Sequence, residues 1–126
     1  MKTEFKYANN TTICIKTTDE GLKFYGEAKC HPEDEDKYSQ ERGRFISSSR
    51  ADIQILRYAL NTAKNLVKNQ EHMMGCMEQS RKFNPKTNEF RLLRRDYHSN
   101  VEAVQVLKDQ IAYEQMVLNY YINKIK

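Results

Sequence analysis

The sequence predicts an α+β fold in which an N-terminal three-stranded antiparallel β-meander precedes a long antiparallel two-helix hairpin. Three observations lead to this fold class: residues 3–31 alternate with a period of two, apolar side chains recur every three or four residues after residue 38, and that second pattern is interrupted once. A chain of 126 residues is about one domain in size. We divide it into a meander at 1–32, a first helix at 37–80, a basic connection at 81–95 and a second helix at 96–124.

Three short stretches of alternating side chains predict the meander. They lie at residues 3–8, 11–17 and 22–31, and carry in turn Phe5 and Tyr7, Ile13 and Ile15, and Leu22 and Phe24. Asn9-Asn10 is a two-residue connection that tolerates positive φ, and Asp19-Glu20-Gly21 supplies a second turn. Both connections imply antiparallel pairing.

Four acidic residues at 33–36 follow Cys30-His31-Pro32 and predict the start of the first helix. Proline lacks the N–H group that would stay unbonded in a first turn, and carboxylates complement the N–H groups that remain there. An acidic metal site is the alternative interpretation. We set it aside because nothing nearby supplies further ligands at a fixed spacing.

Two apolar series with heptad spacing predict the helices. The first comprises Ile46, Ile53, Leu56, Leu60, Ala63, Val67, Met74 and Met77, with Ser49 and Gln70 in its gaps. The second comprises Val104, Leu107, Ile111, Leu118, Tyr121 and Ile125, with Glu114 as its polar member. Asn84-Pro85 and Thr87-Asn88 break helical continuation between them, so we expect the helices to fold back antiparallel. The first helix is the longer one, and it should extend past the second or break near Gly43 or Gly75.

The composition predicts an assembly of several copies. Only 39% of the residues are hydrophobic and the mean hydropathy is −0.87. A narrow apolar seam gives one elongated chain too little interior, so we expect a homo-oligomer.

We also expect a soluble protein of a reducing cytosol, because no stretch suits a signal peptide or a membrane span. The three cysteines, without a CxxC pair, indicate neither disulfides nor a four-cysteine zinc site.

The connection is basic and rich in aromatic residues. Before Asp96 it has a single acid, Glu89, against the cations Arg81, Lys82, Lys86, Arg91, Arg94 and Arg95, with Phe83, Phe90 and Tyr97 interleaved. Guanidinium groups bind phosphate oxygens and aromatic rings stack on bases, so these residue types suit a phosphate-and-base ligand. The alternative is a solvated basic loop that pairs with the acidic residues 33–36 of a neighbouring subunit.

Four arginines lie in the first helix, namely Arg42, Arg44, Arg50 and Arg57. Arg50 and Arg57 are seven residues apart and therefore share one stripe beside the apolar seam. Such arginines either pair with charges across the seam or line a pocket between subunits.

The sequence contains no catalytic motif. It lacks a GxSxG elbow and a glycine-rich phosphate loop. Its candidate metal ligands, Cys30, His31, His72, Cys76 and His98, have no spacing that one local element could use. We expect neither an enzyme, nor a cofactor, nor a metal site. Met73, Met74 and Met77 crowd the end of the first helix, where soft side chains fill irregular space, with a hydrophobic ligand groove as the alternative.

The segment 26–36, GEAKCHPEDED, followed by Gly43, Ile46 and Arg50-Ala51, resembles a pattern in small proteins of phages of Firmicutes. With its length, its meander, its two helices and its basic connection, the chain is similar to the first type of the Thoeris anti-defense family. The resemblance implies a sponge that binds and sequesters cyclic ADP-ribose-type immune signals without cleaving them, and so inhibits Thoeris immunity in the host cell cytoplasm. It further implies dimers assembled into a hexamer, and cyclic oligonucleotides as ligands of separate sites.

The resemblance also implies a ligand pocket between subunits, formed by an arginine of the first helix, an aromatic and an asparagine near the connection, and a later arginine. The best matches are Arg57, Phe83, one of Asn84, Asn88 and Asn100, and, since no arginine follows Arg95, the stand-ins Arg91, Arg94 and Arg95. On this assignment the arginines neutralise phosphates, the aromatic stacks on the base, and the asparagine bonds base or ribose edges. Ser47-Ser48-Ser49 departs from the small apolar residues common at that point of the pattern.

Two other functions fit the same sequence. A phage inhibitor or scaffold would bind a host protein through the helical hairpin, and it would need exposed apolar residues left over after self-assembly. A nucleic-acid binder would use the basic connection, but a net charge of +4 is mild for that class.

Overall fold

The computed structural model of the protein describes residues 1–29 and 40–124. Three strands, β1 (Lys2–Ala8), β2 (Thr11–Thr17) and β3 (Lys23–Lys29), precede two helices, α1 (Gln40–Glu78) and α2 (Asn88–Lys124). This order confirms the α+β class and the meander. The acidic helix start expected at 33–36, with Cys30-His31-Pro32 before it, and Ile125 lie outside the described residues.

The sheet has the order β1-β2-β3, and both pairings are antiparallel. The first connection is the expected two-residue hairpin, because Asn9 and Asn10 both have positive φ, 49° and 62°. In the second turn Gly21 has a φ of 90°, and the Leu22 N–H donates to Thr18 Oγ1 over 3.1 Å. Asparagine and glycine tolerate these left-handed conformations, which is why the local sequence predicted both turns.

The apolar positions of the three strands do not all share one face of the sheet. Phe5, Cys14 and Gly26 lie directly opposite one another across the strands, and therefore on the same face. Cys14 is fully buried there. Ile13 and Ile15 point to the other face, where they stay half-exposed. The core side of β2 is thus Thr12, Cys14 and Lys16, and its two isoleucines lie outside it.

Helix α1 packs closely onto this core face at Gly26. A Cβ atom at that position would overlap the carbonyl oxygen of Ser47 and lie 2.6 Å from the Ala51 backbone nitrogen. Beside this point the ammonium group of Lys16, a largely buried side chain, donates a hydrogen bond to the Asp52 carboxylate. Gly26 therefore allows α1 to approach the sheet closely, and the ion pair links β2 to α1 beside this contact.

The chain forms two units, which are described separately. The first consists of Met1–Arg57 and Ile111–Lys126, and the second of Tyr58–Gln110. In the first unit Phe45 of α1 packs on Tyr121 of α2, with ring centroids 4.2 Å apart. In the second unit Tyr97 OH donates to Glu71 Oε1 over 2.9 Å. In the first unit the N-terminal part of α1 thus contacts the C-terminal part of α2. In the second unit the C-terminal part of α1 contacts the N-terminal part of α2. Both contacts are those of antiparallel helices.

The heptad series are confirmed wherever the structure describes them. Every predicted seam residue of α1 and of α2, up to Tyr121, is buried or half-buried. The α2 series also continues toward the N-terminus with the same spacing, through Asn100, Tyr97, Leu93 and Phe90. The polar members belong to the pattern as well, because Asn100 Nδ2 donates to Gln70 Oε1 over 3.0 Å.

The predicted start of the second helix at residue 96 is wrong: α2 begins at Asn88. Thr87 is the N-cap, and its Oγ1 accepts a hydrogen bond from the Phe90 N–H over 3.4 Å. Thr87-Asn88 was expected to break helical continuation, but these two residues start α2. Arg91, Arg94 and Arg95 consequently lie on a helix and not in a loop.

The two helices also have nearly equal lengths. With 39 and 37 residues, they measure about 58 and 56 Å at a rise of ~1.5 Å per residue. Helix α1 runs without interruption through Gly43 and Gly75. The expected difference in helix length is therefore wrong, and no break interrupts α1 between Gln40 and Glu78. None of the described helices is long and apolar enough to cross a membrane.

Candidate functional site

A cleft of about 320 Å³ opens in the first unit beside strand β3. Its lining residues come from β3, α1 and α2 and comprise Tyr25, Gly26, Glu27, Arg50, Ile53, Gln54, Arg57, Gln115 and Leu118. Ile53 and Leu118, 3% and 2% exposed, give it an apolar floor. Charged and amide side chains surround that floor.

The cleft lies at an edge of the sheet, because β3 pairs only with β2. Arg50 Nη1 donates a 2.6 Å hydrogen bond to the backbone oxygen of Glu27. In an antiparallel sheet the N–H and C=O of one residue point to the same side, and this side alternates along the strand. The backbone groups of Glu27, and with them those of Tyr25, are therefore directed away from β2 and toward the cleft.

Arg57 is the predicted ligand-binding residue that lines this cleft. It lies two helical turns after Arg50, about 10 Å along the axis, so both arginines line one wall, as their shared stripe indicated. Arg50 is held by the strand. The Arg57 side chain is exposed, and its guanidinium has no hydrogen-bond or ion-pair partner among the described residues. It is therefore available to an anion.

Tyr25 is the aromatic residue of the cleft, and its side chain is 54% exposed. It was not among the predicted site residues. Tyr25 lies on the face of β3 opposite to Gly26, and a single tyrosine at an exposed strand position does not by itself indicate a binding site. Gln54 and Gln115 add amide donors and acceptors. One free guanidinium, one exposed ring and two amides can together bind a phosphorylated compound that carries a planar base.

The seven other predicted site residues belong to the second unit. Phe83 is half-buried and packs edge-to-face on the buried Phe90, with ring centroids 5.0 Å apart and an interplanar angle of 81°. Asn84 Oδ1 accepts a hydrogen bond from the Lys86 N–H over 3.0 Å and shapes the turn before Thr87. Phe83 and Asn84 thus both have structural roles in the connection.

Asn88 is the exposed first residue of α2, whereas the amide of Asn100 is already bonded to Gln70. Arg91, Arg94 and Arg95 are exposed on the first two turns of α2. They are three and four residues apart, so they form one basic face. The second unit therefore brings the three arginines together on an exposed face of α2. Asn100 follows them in the sequence and lies in the apolar seam.

Outside the cleft, the described residues offer no metal-ligand cluster, and the pKa shifts of Cys14 and Tyr97 have structural causes. Within residues 1–29 and 40–124, no group of three or more His, Cys, Asp or Glu side chains could hold a metal ion. Burial raises the pKa of the Cys14 thiol, which keeps it protonated in the core. The hydrogen bond to Glu71 raises the pKa of Tyr97. These shifts follow from packing and pairing and define no reaction centre.

Comparison with known proteins adds no assignment. The chain matches no protein-family model, no curated protein and no solved structure.

Proposed function

We propose that this chain is a phage sponge protein that binds a cyclic ADP-ribose-type signal in the host cell cytoplasm and withholds it from the Thoeris immune pathway. The observation that supports this proposal best is that the Arg57 guanidinium, which has no partner among the described residues, lines the same cleft as the exposed ring of Tyr25. The sequence resemblance pointed independently to Arg57.

The ligand's chemistry fits the lining of the cleft. A cyclic ADP-ribose isomer carries a pyrophosphate, an adenine and two riboses. Arg57 would bind the pyrophosphate, with Arg50 adding positive charge beside it. Tyr25 would stack on the adenine, and Gln54 and Gln115 would bond the ribose hydroxyls. In this proposal Tyr25 takes the stacking role that the family resemblance assigns to Phe83.

The basic face of α2 has a second role in the proposal. Arg91, Arg94 and Arg95 would attract anionic ligands to the protein and would hold a cyclic oligonucleotide signal at a site of its own. A spread of exposed arginines suits several phosphates better than one pyrophosphate. Sequestration at either site needs slow release, and it needs no stabilisation of a transition state.

Oligomer formation belongs to the same proposal. Tyr113, Met116 and Tyr120 are 60%, 60% and 69% exposed, and their spacing groups them as an apolar patch on one face of α2. Their spacing of three and four residues repeats the heptad rhythm on the side of α2 away from its seam. We propose that this face joins copies of the chain into dimers, which assemble further into a hexamer.

Release of the captured molecule tests the sponge function. The purified protein is mixed with a lysate that contains activated Thoeris signal, purified again and heat-denatured, and the filtrate is analysed by mass spectrometry. The expected result is an unchanged cyclic nucleotide. Recovery of no nucleotide, or of a hydrolysed one, would contradict the proposal.

Matched variants locate the site. Arg57→Ala and Tyr25→Ala should each reduce the amount captured at least tenfold, whereas Arg94→Ala, which removes the same charge from the second unit, should reduce it much less. Phe83→Ala tests the original aromatic assignment. If only Arg94→Ala and Phe83→Ala abolish capture, the ligand binds at the connection and not in the cleft.

A second candidate function is that of a phage inhibitor or scaffold that binds a host protein. The exposed apolar face of α2 favours it, because the same side chains could dock on a partner. This function predicts that a host protein copurifies with the chain and that no nucleotide is released on heating. Loss of the partner in a Tyr113→Lys, Tyr120→Lys variant would support it.

A further inference from the structure

The end of α1 concentrates soft side chains on a single stretch of helix. Residues 72–77 read His-Met-Met-Gly-Cys-Met and contain three of the chain's five methionines. Met74 and Met77 are half-buried members of the seam. His72, Met73 and Cys76 are exposed, so packing alone does not account for them.

His72 and Cys76 are already in contact. Cys76 Sγ lies 3.7 Å from His72 Nε2, one helical turn away. A tetrahedral metal ion with a metal–sulfur distance of about 2.3 Å and a metal–nitrogen distance of about 2.0 Å holds those two atoms roughly 3.6 Å apart. The observed separation therefore suits a shared ion without any movement of the helix. Histidine pairs at this same four-residue spacing bind zinc in helical motifs.

Met73 is a third candidate donor on the same stretch of helix. It precedes Cys76 by three residues, which makes the two side chains neighbours on the helix surface, and it is 52% exposed. Gly75 leaves the adjoining surface open, because a Cβ atom added there would meet nothing within 4 Å. An ion and its remaining ligands, from water or another molecule, have room to approach.

We infer that His72, Met73 and Cys76 form a surface site for a soft, thiophilic metal ion, with Cu(I) as the preferred ion. Thiolate and thioether sulfur select Cu(I), and imidazole completes its coordination. The nearest carboxylate in sequence, Glu71, is engaged by the Tyr97 hydroxyl. When the ion binds, the Cys76 thiol gives its proton to solvent and the sulfur donates its electron pair to the metal, so no oxidant or reductant takes part.

This inference is independent of the proposed sponge function. It differs from the expectation of no metal site, because it rests on the contact between His72 and Cys76 and on the nearby thioether of Met73.

Competition for Cu(I) tests the site. The reduced full-length protein is titrated under anaerobic conditions against a chromophoric Cu(I) chelator, and Zn²⁺ is tested in parallel with its own indicator. One Cu(I) should be retained per chain. Cys76→Ser and His72→Gln should each weaken retention at least tenfold, and Met73→Leu severalfold.

Three control variants keep the result interpretable. His98→Gln, Met116→Leu and Cys30→Ser remove one residue of each ligand type elsewhere in the chain and should leave Cu(I) retention unchanged. Circular dichroism checks that the surface substitutions preserve the helices. Unchanged retention in the Cys76→Ser, His72→Gln double variant would overturn the inference. Preference for Zn²⁺ with no effect of Met73→Leu would equally overturn it, because the soft-ion assignment rests on the thioether.

Discussion

The side-chain nitrogen of Asn100 donates a 3.0 Å hydrogen bond to Oε1 of Gln70, and this bond pairs polar residues of the α1 and α2 apolar series within the second unit. Gln70 is only 8% exposed. Buried amides without partners cost free energy, so the two residues depend on each other. Paired polar residues in a seam also fix its register, since a shifted alignment would leave both unbonded.

We therefore predict that Asn100→Leu alone lowers the free energy of unfolding by about 1–3 kcal/mol, because it leaves the Gln70 amide buried and unpaired. The Gln70→Leu, Asn100→Leu double variant should recover most of this loss. Urea denaturation of the wild type, both single variants and the double variant completes the thermodynamic cycle. A loss in the double variant equal to the sum of the two single losses would show that the pair is not coupled.

Two glycines should respond to alanine in opposite ways. Gly26→Ala forces a Cβ into the Ser47 carbonyl, so we expect a loss of about 1–3 kcal/mol or more, by overpacking. Gly75→Ala meets no atom within 4 Å and removes a flexible residue from the interior of α1. It should raise the stability by roughly 0.5–1 kcal/mol. Thermal melts of the two variants measure the contrast, and similar destabilisation by both would contradict the close packing at Gly26.

The ion pair of Lys16 and Asp52 should be asymmetric. The Lys16 side chain is 11% exposed and that of Asp52 is 48% exposed. Asp52→Ala leaves a nearly buried ammonium group without its partner and should cost about 1–3 kcal/mol. Lys16→Met removes the buried charge and keeps the apolar stem, so it should cost clearly less. Chemical denaturation at one pH compares them, and equal losses would mean that the pair itself provides the stability.

The outer face of α2 should determine the mass of the particle. Tyr113→Lys with Tyr120→Lys places two charges among exposed apolar side chains, and we expect the proposed oligomer to dissociate toward the 15.0 kDa chain. Asn61→Lys with Asn65→Lys makes the same charge change at exposed positions of α1 and serves as the control. Light scattering after gel filtration gives the masses. If the control dissociates the assembly and the tyrosine variant does not, the interface lies on α1.

The elements with strong periodicity could be predicted from the sequence. The alternation of the strands, the positive-φ turn at Asn9-Asn10 and the heptads of both helices each depend on residues close together in the chain. The start of α2 was missed for a local reason too, since threonine before asparagine can end one helix or cap the next. Only the arrangement of Thr87 and Phe90 in space decides between them.

The cleft could be predicted only in part. The spacing of Arg50 and Arg57 placed both on one stripe, but Tyr25 and Gln115 reach the cleft from β3 and α2, 90 residues apart in the chain. Their meeting depends on how closely α1 approaches the sheet at Gly26. No spacing rule encodes that distance. In the connection, residue types suggested a ligand, whereas packing gave Phe83 and Asn84 local partners.

The hydrogen bond from Arg50 to the Glu27 carbonyl has a consequence for aggregation. An edge strand with open backbone groups is a template for the strands of other molecules, and an arginine across that edge obstructs their pairing. We therefore expect the Arg50 guanidinium to hinder the pairing of β3 with a strand of another molecule. Removal of Arg50 would free the Glu27 backbone oxygen at this edge of the sheet and should favour aggregation through added strands.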